Sequence, residues 1–203
     1  MRVQAKSTNR LFWRHSSFGN SVSGIKFRGY CNAESLGTLR HCITRLPQRS
    51  LLKLSGQGTI KWLQGLTTND VTPLGGGETA AVFSAILSPQ GRVLAEVVLS
   101  TSGNAENGHP SIVLECDSRV YEVLKKHLTR FKLREKVEIE EISSRFDVWS
   151  MLHADSGILD ERASTLRTKG YLTFKDPRSP LMGVRAILPK GAGTFLVVVL
   201  RRG

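Results

Sequence analysis

The feature that most constrains this chain is the stretch 51–70, LLKLSGQGTIKWLQGLTTND, taken with the run 80–100 that follows it. Leu51, Leu52 and Leu54 form an apolar run that breaks at Ser55-Gly56-Gln57-Gly58. Ile60, Leu63 and Leu66 then recur every third residue beside Trp62, so the spacing predicts a strand feeding a short amphipathic helix. Thr67-Thr68-Asn69-Asp70 ends the pattern with side chains that bond their own backbone, and Pro73 with Gly75-Gly76-Gly77 predicts irregular chain up to the next strand. Residues 79–87 turn through Ser88-Pro89-Gln90-Gly91 and return as Val93 to Leu99. That is a hairpin whose turn residues supply a fixed φ and a permissive glycine. Two polar loops, 67–70 and 88–92, are thereby expected to face one pocket.

Beyond the hairpin, residues 101–110 (TSGNAENGHP) are dense in turn formers and read as an exposed loop. Ser111 to Glu115 reads as a short strand. Val120, Leu124, Leu128 and Phe131 mark a helix, with Asp117 or Ser118 as its cap. Val137 and Ile139 alternate with Glu138 and Glu140 in a half-buried strand, and 145–152 reads as a more buried one. Residues 155–168 are polar and partly helical, while 171–174, 184–188 and 194–200 complete the strands. The order predicts an α+β fold; the repeated βαβ units and Gly-rich phosphate loop of a doubly wound nucleotide fold are missing. Residues 32–49 suit a short helix or a lead-in to the first strand.

The net charge of +12 suggests nucleic acid until it is divided along the chain. Arg2, Lys6, Arg10, Arg14, Lys26 and Arg28 all precede the first acid, Glu34, so half the excess sits in the first thirty residues. With their serines and no acids, residues 1–30 have the composition of a mitochondrial transit peptide. Arg28-Gly29-Tyr30 before Cys31 resembles a matrix-processing site. The remainder carries an excess of +6. Lys125, Lys126, Arg130, Lys132, Arg134 and Lys136 form a basic stripe, but Glu122, Glu135 and Glu138 interleave it and aromatics for stacking are few. A solvated helix face is favoured and nucleic acid is not an expected partner. No apolar run reaches the roughly twenty residues of a membrane span, and no membrane contact is expected. Cys31, Cys42 and Cys116 show no paired or CxxC spacing, and His15, His41, His109, His127 and His153 form no HxxxH or HExxH pattern. No metal site is expected in this chain, and Cys116 reads as a small buried hydrophobe.

Gly56, Trp62-Leu63-Gln64-Gly65-Leu66, Thr68-Asn69-Asp70 and Gln90-Gly91-Arg92, in this order and spacing, resemble the opening of the folate-binding, aminomethyltransferase-like YgfZ/GcvT family. Residues 114–140 and the segment DPRSPLMGVR (176–185) are similar to its mitochondrial branch, the iron–sulfur cluster assembly factors of late 4Fe-4S maturation. The resemblance covers roughly 51–185. It implies a ferredoxin-like antiparallel sheet of the GcvT/YgfZ type, a location in the mitochondrial matrix, and help to 4Fe-4S client enzymes in company with A-type iron–sulfur carrier proteins. The expected organisation is a transit peptide over 1–30, a lead-in over 31–50, the family's N-terminal domain over 51–190 and an atypical end over 191–203. The family's K-G-C-x-G-Q-E signature and later β-barrel are not in the sequence, so the C-terminal part of the family fold is expected to be missing and the cluster-facing thiolate with it.

The same resemblance implies tetrahydrofolate as a ligand and nominates Asn69, Asp70, Arg92, Glu96 and Arg185. Asn69 and Asp70 would bond a pterin edge or simply stop the helix. Arg92 or Arg185 would attract the glutamate tail of a folate, or be a surface arginine. In the aminomethyltransferases a carboxylate on the second hairpin strand attends the folate amine; matching the family's GGxxDD to residues 91–96 puts Ala95 at the first acid and Glu96 at the second. Ala95 exchanges no proton, and Glu96 is either the substitute or a solvated strand acid. No catalytic residue is assigned, and whether the chain is an enzyme stays open. The alternatives are a folate-dependent aminomethyltransferase of glycine cleavage and a basic nucleic-acid-binding module of the mitochondrial ribosome.

Overall fold

The computed structural model describes residues 41–77, 80–104 and 108–193. The expected transit peptide and the expected strand over 194–200 lie outside these residues. Among the described residues nine strands and four helices follow in the order β1 (His41–Arg45), β2 (Arg49–Ser55), α1 (Thr59–Gln64), α2 (Thr72–Gly76), β3 (Ala81–Leu87), β4 (Val93–Asn104), β5 (Pro110–Asp117), α3 (Tyr121–Phe131), β6 (Glu138–Glu141), β7 (Phe146–His153), α4 (Ser156–Thr168), β8 (Leu172–Lys175) and β9 (Val184–Pro189). A 3-10 turn, Pro180–Met182, precedes β9.

The strands are divided between two antiparallel sheets. One has the order β3-β4-β5-β2-β6 and the other β1-β7-β9-β8. Alternation along each strand assigns its side chains to one of two cores. Leu52, Leu54, Ala95, Val97, Leu99, Leu114 and Cys116 face outward from the five-stranded sheet onto Trp62, Leu63, Leu74, Leu124 and Leu128 of α1, α2 and α3. Ile43, Met151, Val184, Ala186 and Leu188 face outward from the other sheet onto Leu159, Ala163 and Leu166 of α4. The intervening residues, Leu51, Val98, Val113, Ile142, Val148, Phe174 and Ile187, meet between the sheets. Both faces of each sheet are therefore covered, which is why β5 is buried from Ser111 to Cys116 without a break. Full burial of each such Leu or Phe contributes on the order of 2 kcal/mol.

The predicted hairpin and the helix after Gly58 are present. Gly56 is required where it stands: its φ is +126°, and a Cβ there would lie 2.1 Å from the carbonyl oxygen of Lys136. Four local expectations need correction. The 32–49 region contributes β1, which pairs with β7 of the second sheet. Pro73 and its glycines do not leave the chain irregular; Pro sits in the first turn of α2, where its missing N–H costs nothing, and Leu74 is buried beneath α1. Neither Asp117 nor Ser118 caps α3 through its side chain: Val120 is the N-cap, and the Asp117 carboxylate instead accepts from the backbone N–H and guanidinium of Arg119. Residues 156–168 are helical throughout, with Asp155 Oδ1 accepting from the N–H of Gly157 at 2.8 Å and of Ile158 at 3.4 Å.

Candidate functional site

Loop 67–70 lies along the open edge of β3 as a short extra strand. Thr67 bridges Ile86, and the Thr68 N–H donates to the Ala85 carbonyl at 3.0 Å. Ser84 Oγ accepts from the N–H groups of Thr68 and Asn69, both at 3.1 Å. Asn69 Nδ2 donates to the Phe83 carbonyl at 3.0 Å, and its Oδ1 accepts from the Asp70 N–H. One amide hydrogen and one carbonyl lone pair of Asn69 thus hold the loop, and the other hydrogen and lone pair stay open on an exposed residue. Asp70 Oδ1 accepts from Thr72 Oγ1 at 2.7 Å and from the Thr72 N–H, and those two bonds hold its carboxyl below the usual carboxylate range. The residue is exposed, and its Oδ2 accepts no hydrogen bond among the described residues.

Glu96 stands on β4 directly opposite Ala85, so Glu96, Ala85 and Thr68 form one row across β4, β3 and the loop. Glu96 is exposed on the inter-sheet face. Its neighbour Ala95 is buried in the opposite direction, under the helices. Loop 67–70 pairs with Ala85 and Ile86 of β3, whereas the bonds of loop 88–92 close its own turn. Arg92 is exposed at the end of the hairpin turn, where its carbonyl accepts from the Ser88 N–H.

The segment 176–185 closes the same end of the sandwich. Asp176 accepts from Arg178 Nε at 2.9 Å and Nη2 at 2.7 Å and from Arg185 Nε at 2.7 Å. Arg185 Nη1 reaches across to Glu115 Oε1, which also accepts from Arg49 Nε. Arg185 is 4% exposed, Asp176 5% and Glu115 1%, so this is an interior network of three arginines and two carboxylates. Burial pushes the Asp176 carboxyl up, and its bonds to Arg178 and Arg185 outweigh this and bring it down to about 2. Arg178 is held protonated chiefly by Asp176, with Glu115 and Glu96 adding to the effect. Glycine is required at position 183, where φ is +67° and a Cβ would lie 2.2 Å from the Met151 carbonyl oxygen.

Of the residues nominated from sequence, Asn69, Asp70 and Glu96 share the β3–β4 edge, Arg92 sits at the hairpin tip, and Arg185 is interior with Nε and Nη1 both engaged. Arg49, Glu115, Asp176 and Arg178 were not nominated. Glu115 carried a visible signal, a lone carboxylate in an apolar run, and Arg178 stands in the DPR tripeptide of the 176–185 segment. Cys116 is fully buried, and burial pushes its thiol up to about 12 against the opposing Arg49 charge, so it offers no thiolate at neutral pH. Among the described residues no group of three or more His, Cys, Asp or Glu is placed to hold a metal ion, and no helix is long and apolar enough to cross a membrane.

The comparisons with known proteins agree with this geometry. No family model matches the chain. Over 161 residues it is 35% identical to the mouse protein named iron–sulfur cluster assembly factor IBA57, mitochondrial, covering 75% of this chain and 44% of that protein. The human protein of the same name is 33% identical over 165 residues, with the same coverage, and the Dictyostelium discoideum homologue 29% over 178 residues, covering 78% and 44%. The chain spans somewhat under half the length of these relatives. Among solved structures, the glycine cleavage system aminomethyltransferase T from Bartonella henselae superposes with a TM-score of 0.62 at 12% identity, covering 79% of this chain and 45% of that one. The two antiparallel sheets and their helices are thus the aminomethyltransferase type of α+β fold.

Proposed function

The chain belongs to the IBA57-type branch of the aminomethyltransferase-like family, and from that premise we propose that it acts in the mitochondrial matrix in the late maturation of 4Fe-4S proteins. The observation that carries this reading is the 35% identity to the mouse assembly factor across most of this chain. Its partners would be A-type iron–sulfur carriers and 4Fe-4S client enzymes, and the residues of this half would contribute binding and orientation, not the cluster-facing thiolate. Tetrahydrofolate is the ligand proposed for the β3–β4 edge. Arg185, buried with Nε and Nη1 engaged, would support it from behind, and exposed Asn69 would offer its remaining amide hydrogen and lone pair. Glu96 and Asp70 Oδ2 would accept from the donors of a pterin edge, and Arg178 and Arg92 would attract its anionic tail. Aminomethyl transfer is disfavoured because Ala95 occupies the first acid position and is buried under the helices, while Glu96 points to the other face.

The decisive experiment replaces the matching segment of the mouse protein with residues 41–193 and expresses the chimera in cells depleted of that protein. Aconitase activity and lipoate-dependent activity are expected to return to at least half of the level that the mouse protein restores. A chimera that accumulates normally in the matrix and restores neither activity overturns the proposal.

A further inference from the structure

At the end of the sandwich away from Glu96, the two sheets part around a cavity of about 600 Å³. Val113, Ile142 and Ile187 of the inter-sheet core form its floor, and Phe146, Tyr171 and Leu172 its walls. Lys53, Arg145 and Arg167 line it together with one carboxylate, Glu140, which leaves two positive charges in excess. Glu140 is taken by Arg145. Lys53 and Arg167 make no ion pair among the described residues. Their chemistry is accordingly available to something else.

We infer that this cavity binds a small amphiphilic organic anion, a linear or flat apolar body ending in a single carboxylate or sulfonate. Its volume lies within the range of small-molecule sites, and an apolar enclosure with a few convergent polar groups is the usual make-up of such sites. The cavity is lined from both sheets, by Thr101, Ser102 and Ser111 of β4 and β5 and by Leu172, Ile187 and Pro189 of β8 and β9. The direction of the ligand follows from the charge. The apolar body lies on Val113, Ile142 and Ile187, and the anionic head reaches outward to Lys53 on β2 and Arg167 in the last turn of α4. Each sheet then supplies part of the floor, and the two cations come from different elements, β2 and α4. The inference does not rest on the function proposed above, because none of Asn69, Asp70, Arg92, Glu96 and Arg185 lines this cavity.

The test titrates the whole chain with 8-anilinonaphthalene-1-sulfonate, followed by fluorescence, and then competes the dye with octanoate or with octanol. Saturable binding of one dye per chain is expected, displaced by octanoate and at least about tenfold less well by octanol, the gap expected of two charge contacts at a partly exposed mouth. The double variant Lys53→Gln, Arg167→Gln is expected to weaken octanoate roughly tenfold with an unchanged melting temperature, and Leu172→Trp to abolish dye binding by filling the cavity. Where Leu172→Trp does not fold, the charge variant decides alone. Absence of saturable binding, equal competition by octanol, or unchanged affinity in the double charge variant overturns the inference.

Discussion

The two ends of the space between the sheets are built from the same strands and hold opposite contents. Along β2, Arg49, Leu51 and Lys53 point into it; along β5, Glu115, Val113 and Ser111; along β9, Arg185, Ile187 and Pro189. The first of each trio belongs to the ion network under the 176–185 loop, the second to the apolar centre, and the third to the mouth of the open cavity. One end is closed by charge and the other is left open around an apolar floor. Buried ion pairs are poor sources of stability, since desolvation offsets their attraction. What this network does supply is register: a slip of one residue in β5 or β9 would turn Glu115 or Arg185 outward beneath the helices, where no partner waits. The closed end fixes how the two sheets face one another, and the open end inherits a fixed shape.

The largest expected effect comes from breaking the closed end. Arg185→Met leaves Glu115 and Asp176 buried with one guanidinium fewer between them, and removal of one partner from a buried pair costs about 3–5 kcal/mol. Urea unfolding should show a much lower midpoint with an unchanged slope. A loss under about 1 kcal/mol, well short of that range, would mean that the network does not lock the sheets, and the contrast between the ends would fail.

The same end should also carry a pH signature. The Asp176 carboxyl is held at about 2 in the folded chain, below its value near 3.9 when unfolded, so its contribution is complete above about pH 4. It is lost as the pH falls toward 2, a change of roughly 2 kcal/mol. Stability measured across that window should fall less steeply in Asp176→Asn than in the parent, and parallel curves would remove Asp176 from the account.

How much of this was legible in the sequence follows from how local each signal is. The hairpin, α1 and α3 were legible because their patterns close within a dozen residues. Val97 and Leu99 alternate with Glu96 and Val98, and Leu124 and Leu128 lie one turn apart. The division into two sheets was not, because β1 is short and finds β7 more than a hundred residues later. The helix α2 was hidden behind Pro73 and Gly75-Gly76-Gly77, residues that usually interrupt helices and here form a single turn. Arg185 was noticed and its environment was not, since the ion pair with Glu115 spans seventy residues and one-dimensional spacing holds no trace of it. Asn69 shows the same limit at short range: the Phe83 carbonyl takes one of its amide hydrogens and the Asp70 N–H one of its lone pairs, and neither bond shows in the spacing of the residues.

The smallest expected effect belongs to the open end, and it is what makes the comparison testable. Lys53 on β2 stands opposite Val113 and Glu140 in the paired strands, two places along from Leu51 and four from Arg49, with no ion pair among the described residues. If the open end is shaped by the closed one and not by its own charges, Lys53→Met should change stability by no more than about 0.5 kcal/mol, as for substitutions away from buried networks. Removing a half-buried charge beside an apolar floor even favours a slight gain. A loss of about 2 kcal/mol or more, a size that such substitutions do not reach, read from the same urea transition as Arg185→Met, would show that the fold depends on Lys53 much as it depends on Arg185. The two ends would then be two copies of one device.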